Sequence, residues 1–419
     1  MTPIKVIDLF AGPGGLGEGF TELRNEKGEN FFKVALSIEK ETSAHRTLTL
    51  RSLFRQYDEG EVPEPYYAFM RGELGKSPED ILYGLPEIQA GLMQARREAS
   101  QMELGKRGSH ASSYKEIRSA LDGEDFVLLG GPPCQAYSLV GRSRNRGEKK
   151  KKYNVDQDHR NFLYLEYLRI IAKFQPLCFV MENVKGLLSA KTSAGPVFPQ
   201  IISDLANPGK SCSTTPDVGR RSHCYKIFSF VKEETNDLFG SSSIGLKPQD
   251  YIIRSELYGV PQARHRVILF GVRDDLTGTS SRGTLVKSLH QSTVGETISD
   301  LPSLRSGLSK EADSPEAWKA LKMEIPRILS STDNPLSFDI TGTTNGYNLD
   351  SIPSTRGSEF LEKAKPNTGP LSHWFHDPRL GPHITNHATR GHIRADLIRY
   401  SFASAFCKAK GYSPKALDF

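Results

Sequence analysis

One cysteine of the sequence stands where it could act as a nucleophile. Cys134 comes directly after Gly130-Gly131-Pro132-Pro133, at the end of an apolar run. Proline cannot extend a strand ladder, so the chain should leave the sheet here and present the thiol at the carboxyl end of the strand. A thiolate held in an electropositive setting is a strong nucleophile. We therefore interpret Cys134 as a candidate nucleophile, whereas Cys178, inside another apolar run, is typical of a small buried hydrophobe.

Two later segments carry charged side chains beside apolar runs. Glu182 follows the run 177–181, where a partly desolvated carboxyl group could donate a proton. Gln262, Arg264 and Arg266 stand just before or at the beginning of another run. We expect the two arginines to face opposite ways, one into the site and one into the structure.

A glycine-rich turn follows the first apolar run, which ends at Phe10. Gly12, Gly14 and Gly17 satisfy the pattern G-x-G-x-x-G, and Glu39 ends the next apolar run. Small residues let the backbone approach a nucleotide-like ligand closely, and a carboxylate can accept hydrogen bonds from two ribose hydroxyls. The pattern predicts a cofactor that contains adenosine. On these residues alone, an NAD-dependent oxidoreductase and a tight turn without a ligand remain open.

The elements that must position these residues alternate between strands and helices. Apolar residues over 161–171 have helical spacing and separate two of the predicted strands. This alternation predicts an α/β fold with a mostly parallel sheet and ligands at the carboxyl ends of the strands. The predicted strands are 4–10, 33–38, 125–130, 177–181 and 266–272.

The domain organisation is indicated by the places where this alternation is interrupted. The 419 residues are enough for about two to three domains. Residues 41–120 are polar and helix-prone, so we expect them to be an insertion in a catalytic domain that spans 1–284. From 285 to 419 the periodicity weakens and Ser, Thr, Pro and Gly are scattered, which predicts a second, less regular domain.

The composition excludes a membrane protein and favours a reducing compartment. The longest apolar runs fall far short of the ~18 residues that span a bilayer. The first residues contain neither the basic nor the apolar region of a signal peptide. The five cysteines form no Cys-x-x-Cys pair, and their odd number indicates reduced thiols. We therefore expect the protein to work in a cytosol-like compartment.

Four motifs, in this order, resemble those of the DNA (cytosine-5)-methyltransferases. They are Asp8-Leu9-Phe10-Ala11-Gly12-Pro13-Gly14-Gly15, Gly131-Pro132-Pro133-Cys134-Gln135, Glu182-Asn183-Val184 and Gln262-Ala263-Arg264-His265-Arg266. The resemblance implies a Rossmann-like, doubly wound methyltransferase sheet, S-adenosylmethionine as the methyl donor and cytosine in double-stranded DNA as the substrate. It also implies that 285–419 begins a target-recognition domain. The family further suggests a bacterial restriction–modification system with a cognate restriction endonuclease. The protein would then work in the bacterial cytoplasm, on DNA in the nucleoid.

The resemblance implies a role for each motif. Cys134 would attack C6 of a cytosine turned out of the helix, because C6 is unreachable in a stacked duplex. Glu182 would protonate or hydrogen-bond N3, Arg264 would hold the base near O2, and Gln262 and Arg266 would keep their segment in place. The cofactor pocket would be formed by Asp8, Phe10, Ala11, Gly12, Gly14, Gly15 and Pro132, with Glu39 on the ribose.

Basic residues are concentrated beside the candidate nucleophile. The net charge is only +6, but seven of the eleven residues from 142 to 152 are Lys or Arg, against one acid. In the family the corresponding loop closes over DNA, and such a loop would grip phosphates and make binding strongly salt-dependent. A solvated flexible loop is the alternative. The residues expected to bind DNA are Arg142, Arg144, Arg146, Lys149 and Lys150.

Some features of the family have no clear match. The acid that reads the cofactor adenine after the third strand has only Glu116, beside Ile117, as a candidate. The Arg-Glu-containing helix and the Gly-Asn-x-Val-Pro segment that complete the cofactor pocket are not found. We therefore expect a truncated chain or one half of a split enzyme completed by a C-terminal subunit, and the alternative function is DNA binding without turnover. For the five histidines of 373–392 we expect structural or DNA-contacting roles rather than a metal site.

Overall fold

A computed structural model describes most of the chain. The described residues are 2–58, 60–106, 108–133, 163–192, 195–212, 222–233, 235–236, 243–278, 283–331, 353, 355–362 and 369–415. Within them, no helix is both long enough and apolar enough to cross a membrane.

Helices and strands alternate through the first two thirds of the chain. The helices are α1 (Gly15–Thr21), α2 (Thr42–Phe54), α3 (Glu64–Met70), α4 (Pro78–Gly84), α5 (Pro86–Glu98), α6 (Ser109–Leu121), α7 (Leu163–Phe174), α8 (Val197–Ala206), α9 (Pro208–Ser211), α10 (Val294–Ile298), α11 (Pro315–Ser331), α12 (Ser372–Phe375) and α13 (Arg394–Lys410). The strands are β1 (Ile4–Leu9), β2 (Phe32–Glu39), β3 (Ala99–Gln101), β4 (Phe126–Gly130), β5 (Cys178–Val184), β6 (Lys191–Thr192), β7 (Gly195–Pro196), β8 (Tyr225–Phe228), β9 (Thr235–Asn236), β10 (Ser243–Ile244), β11 (Ile252–Arg254), β12 (His265–Arg273), β13 (Gly307–Leu308), β14 (Gly357–Glu362), β15 (His383–Ala388) and β16 (Gly391–His392).

The main sheet is doubly wound around β1. Its strand order is β11-β12-β5-β4-β1-β2-β3, and β8 also pairs with β12. Strands β1 to β5 are parallel, whereas β12 is antiparallel to β5, β8 and β11. The chain builds β2 and β3 on one side of β1 and then β4 and β5 on the other. The predicted α/β fold is therefore confirmed, and the reversal of direction opens a crevice at the carboxyl ends of β1 and β4.

Burial on both faces explains the apolar runs of the central strands. Every residue of β4 is buried, as expected for a parallel strand that is covered by helices on both sides. Tyr167, on the apolar face of α7, is completely buried, and its hydroxyl lies within hydrogen-bonding distance of the carbonyl oxygens of Leu128 (3.3 Å) and Val180 (3.1 Å). Helix α7 is thus fixed against the two strands that lead to the glycine–proline segment and to Glu182.

The chain divides into two compact units. The first contains Met1–Pro63 and Tyr83–Val294, and the second contains Glu64–Leu82 and Gly295–Phe419. Residues 41–120, which the sequence indicates as an insertion, contribute β3 to the main sheet of the first unit and 64–82 to the second unit.

The second unit has a small core and its own polar contacts. Helices α11 and α13 pack together, and buried residues include Leu321 and Phe406. Tyr67 of α3 donates a hydrogen bond to Asp377 (2.9 Å), while the guanidinium of Arg379 lies 4.0 Å from the centre of the Tyr67 ring. Segment 64–82 is thereby attached to this unit.

Three of the five clustered histidines are hydrogen-bonded within the second unit. The contacts are His383 with the carbonyl of Leu380 (2.9 Å), His387 with the carbonyl of Pro302 (2.7 Å) and His392 with the hydroxyl of Ser306 (2.6 Å). The contacts of His387 and His392 join stretches of backbone that are 85 and 86 residues apart, which is consistent with a structural role for these two rings.

Candidate active site

The glycine turn after β1 has backbone conformations that favour glycine. Gly12 and Gly14 have φ of +57° and +91°, and Phe10 has φ of +56°. The amide of Ala11 donates to the carbonyl of Ile38 (3.1 Å), so the turn lies against the carboxyl end of β2. A Cβ on Gly12 would have no atom within 4 Å. The requirement for glycine at this position is therefore conformational, and the space beside it is open to a ligand.

Glu39, the last residue of β2, is fixed beside this turn by three backbone amides. One carboxylate oxygen accepts from Gly12 (2.8 Å), and the other accepts from Lys40 (2.8 Å) and Glu41 (2.7 Å). A carboxylate offers about four acceptor positions. At least one position therefore remains for a hydroxyl group of a ligand.

Asp8 is a completely buried carboxyl group directly below the glycine turn. Neither of its oxygens accepts a hydrogen bond of ordinary geometry from the described residues. Burial raises the pKa of Asp8 to about 7, and the negative charge of Glu39 acts in the same direction. The backbone amide of Gly17 and the guanidinium of Arg55 favour the ionised form but only partly offset the burial.

The glycine–proline segment after β4 fits closely against two neighbouring elements. A Cβ on Gly130 would lie 2.6 Å from Cε2 of Tyr167, so only glycine fits below this segment. The side-chain amide of Asn183, in β5, donates to the carbonyl of Pro132 (3.4 Å). Pro132 is buried, and its position is therefore set by β5 as well as by β4.

Glu182 lies between this segment and the two arginines. Its Oε2 is 3.3 Å from the place that a Cβ on Gly131 would occupy. Its Oε1 lies 2.6 Å from Nε of Arg266 and 3.5 Å from a guanidinium nitrogen of Arg264. The prediction that the two arginines face opposite ways is wrong. Residues two positions apart on an extended chain project to the same side, and here both guanidinium groups converge on one carboxylate.

Two tight turns and an ion pair shape the segment that carries Arg264. The amide of Gln262 donates to the carbonyl of Val260 and the amide of Arg264 donates to the carbonyl of Gln262, both at 2.8 Å. His265 points elsewhere and lies 2.8 Å from Glu256. The side chains of Gln262 and Arg264 are exposed at the edge of the sheet where β12 begins.

An acidic residue that the sequence pattern did not single out lies just after the third strand. Strand β3 ends at Gln101, and the first acid after it is Glu103, which is ion-paired with Lys40 (3.2 Å). Glu116, the candidate from the sequence, instead lies inside α6 and does not follow a strand. A strand of only three residues, Ala-Ser-Gln, has no apolar run that could have revealed it.

Several predicted site residues lie outside the described residues. These are Cys134, Arg142, Arg144, Arg146, Lys149 and Lys150.

Comparisons with known proteins identify the family. The sequence model of the C-5 cytosine-specific DNA methylases matches residues 108–215, a range that includes β4 and Glu182. The Type II methyltransferase M.Bpa9945I of Bacillus paralicheniformis is 31% identical over 322 residues, which are 72% of this chain and 61% of the relative. Residues 108–215 belong to the C-5 cytosine-specific DNA methylase family.

The comparisons also include a second Type II methyltransferase and a solved methyltransferase structure. The Type II methyltransferase M.DdeI of Desulfomicrobium norvegicum is 28% identical over 311 residues, which are 73% of this chain and 50% of the relative. The solved structure of the Entamoeba histolytica methyltransferase EhMeth matches 78% of this chain and 67% of that chain, with 14% identity and a TM-score of 0.35. The chain spans half to about three fifths of the length of these two Type II relatives.

Proposed function

We propose that the chain transfers a methyl group from S-adenosylmethionine to C5 of cytosine in double-stranded DNA. The observation that carries the proposal is the convergence of Glu182, Arg264 and Arg266 beside Gly131, at the same edge of the sheet as the glycine turn. The family description supplies the base and the atom, and the names of the relatives support the modification half of a restriction–modification system.

The cytosine ring must first be made nucleophilic at C5. In the proposed mechanism the Cys134 thiolate bonds to C6, and the electron pair of the C5–C6 double bond moves toward C5. Glu182 donates a proton or a hydrogen bond to N3, while Arg264 holds the base at O2. After C5 has taken up the methyl group, it loses its proton, the C6–S bond breaks and the double bond re-forms.

The base must leave the helix for this chemistry, because C6 cannot be reached in a stacked duplex. The Glu182 side chain is only 23% exposed, so it can act on a base that enters the crevice but not on one that stays paired. Arg266, ion-paired with Glu182, and Gln262 hold the segment that carries Arg264. The basic residues of 142–152 bind the phosphates on either side.

The residues of the glycine turn fit S-adenosylmethionine, which supplies a methyl group bonded to positively charged sulfur. Glu39 retains an acceptor position for a ribose hydroxyl, and the space at Gly12 is open. Neither buried oxygen of Asp8 accepts a hydrogen bond of ordinary geometry from the described residues, which suits a cationic ligand in the crevice above. Phe10, Ala11, Gly14, Gly15 and Pro132 complete the proposed pocket.

The length of the relatives favours a second candidate function. The chain spans 61% and 50% of M.Bpa9945I and M.DdeI, which is compatible with DNA binding by one part of a longer or split methyltransferase. A complementing C-terminal subunit would then be a partner, in addition to a cognate restriction endonuclease.

Transfer of a labelled methyl group to unmethylated genomic DNA distinguishes the two functions. We expect label to appear as 5-methylcytosine with the native chain. We expect none with Cys134→Ala, which should still bind DNA and the cofactor. Label transferred by Cys134→Ala, or found on another atom, would overturn the mechanism. Binding of DNA and cofactor without any transfer would favour the second function.

A further inference from the structure

Helix α2 packs directly on the glycine turn. It begins at Thr42, three residues after Glu39, and a Cβ on Gly14 would lie 2.8 Å from Cδ1 of Leu48 in the middle of the helix. At its other end the backbone amide of Arg55 caps the helix by bonding to the carbonyl of Arg51 (3.1 Å). Helix α2 therefore begins beside Glu39, contacts the glycine turn at its middle and ends at Arg55.

The guanidinium of Arg55 joins two elements that carry the walls of this pocket. One nitrogen is ion-paired with Glu18 of α1, the helix that follows the glycine turn. Another is ion-paired with Glu98, the last residue of α5, immediately before β3. The second oxygen of Glu98 accepts from the side-chain amide of Gln56 (3.1 Å).

Arg55 and Glu98 are largely withdrawn from water, whereas the Glu18 side chain is 29% exposed. The Arg55 side chain is 12% exposed and that of Glu98 only 4%. The guanidinium of Arg55 is held in one position by two carboxylates. Movement away from either one would be unfavourable, because it would leave a charge uncompensated where little water can reach it. The arrangement fixes α1 relative to β3.

The same guanidinium acts on the buried carboxyl below the turn. The charged or titratable groups that influence Asp8 are Arg55 at the end of α2, Glu39 at the end of β2 and Tyr167 on α7. Within the described part of the chain, Arg55 is the positive group among these, and no residue there gives Asp8 a hydrogen bond of ordinary geometry that could replace its charge.

We propose that Arg55 is a positioning residue for the cofactor pocket, which holds α1 under the glycine turn through its ion pairs with Glu18 and Glu98. The inference rests on the proposed function, because it takes S-adenosylmethionine as the ligand of the pocket. A cationic ligand and Arg55 both favour the ionised Asp8, so binding of the ligand should release a proton.

Calorimetric titration with S-adenosylmethionine, from about pH 6 to about pH 9, tests the inference. For the native chain we expect affinity to rise with pH through the pKa of Asp8, about 7, and then to level off. Arg55→Met should weaken binding about tenfold at neutral pH, a usual size for coupling between linked groups. It should also move the rise in affinity to higher pH. Asp8→Asn should abolish the rise.

Arg55→Lys separates the effect of the two ion pairs from the effect of the positive charge. It keeps a cation near Asp8 but cannot bind two carboxylates in a fork. We expect it to weaken binding while leaving the pH of the rise near that of the native chain. If Arg55→Met does not fold, Glu18→Gln is the alternative variant. It removes the ion pair between Arg55 and α1 while Arg55 is still present, and it should weaken binding by itself.

Arg71 provides a matched control in the second unit. It is also ion-paired with two glutamates, Glu64 and Glu73, and its side chain is 16% exposed. Arg71→Met should leave affinity and its pH dependence unchanged. Native affinity and pH dependence in folded Arg55→Met, or in Glu18→Gln where that variant replaces it, would overturn the inference. No binding by the native chain would instead overturn the proposed cofactor, and the inference with it.

Discussion

The carboxylate of Glu182 lies 2.6 Å from Nε of Arg266, closer than any nitrogen of Arg264. On the ladder between β5 and β12, Glu182 is opposite Ile268, so Arg266 is its diagonal neighbour. Diagonal positions are within reach of long side chains. The ion pair therefore holds the carboxylate at the edge of the crevice while the more exposed Arg264 remains available to a ligand.

Replacement of this carboxyl group should slow methyl transfer. We expect Glu182→Gln to lower the single-turnover rate on DNA by about 10²- to 10⁴-fold, because the amide cannot donate a proton to N3. Binding of DNA and cofactor should be retained. Glu124→Gln is a suitable control, because Glu124 is ion-paired with Lys5 (3.0 Å), near the opposite end of β4. An undiminished rate in Glu182→Gln would remove this residue from the site.

A methyl group on Gly130 should be poorly tolerated. The Cβ of Gly130→Ala would lie 2.6 Å from the Tyr167 ring and 3.0 Å from the carbonyl oxygen of Leu9. We expect the free energy of unfolding in urea to fall by about 1–3 kcal/mol, the usual effect of overpacking. Gly19→Ala, on α1 and with open space at its Cβ, should instead gain about 0.5–1 kcal/mol. Equal stability of Gly130→Ala and the native chain would contradict this packing.

Burial of Asp8 should make the first unit less stable as the pH rises. Its pKa is raised from 3.8 to about 7, so the folded state keeps a proton that the unfolded state loses between these values. Asp8→Asn removes this penalty. We expect its stabilising effect on the free energy of unfolding to be larger at pH 8 than at pH 4 by at most ~4 kcal/mol. A difference that does not change with pH would show that Asp8 does not titrate in this range.

The basic residues that follow Cys134 should determine the salt dependence of DNA binding. Each phosphate contact contributes about −0.9 to the slope of log K against log salt. Replacing Lys149 and Lys150 together by Gln should therefore make the slope shallower by ~2. Lys27 and Lys33, exposed near the amino end of β2, provide a pair of control substitutions. Equal slopes for the two double variants would exclude 149 and 150 from phosphate contacts.

The sequence was sufficient for the family and for the central strands. Apolar runs such as 126–130 predict a strand because a parallel strand covered on both faces must be apolar throughout. The carboxyl end of β5, which carries Glu182, was harder to predict. That strand continues through Glu182 to Val184 because β12 pairs with it, and this pairing leaves no signal in the local sequence.

Other features depend on tertiary contacts that no local pattern reveals. Strand β3 is three residues long and has little apolar character, so neither it nor Glu103 could be recognised. The ion pairs of Arg55 join residues far apart in the chain, and each glutamate alone has the pattern of a solvated acid. The roles of Cys134 and of the basic residues after it stay predictions.

The division into units has a consequence for dissecting the protein. The chain passes between the units three times, after Pro63, after Leu82 and after Val294. A single proteolytic cut after Val294 would therefore leave Tyr67 on one fragment and its partners Asp377 and Arg379 on the other. To express the first unit alone, Pro63 has to be joined to Tyr83 by a new loop, and the second unit has to be assembled from two separate stretches of the gene.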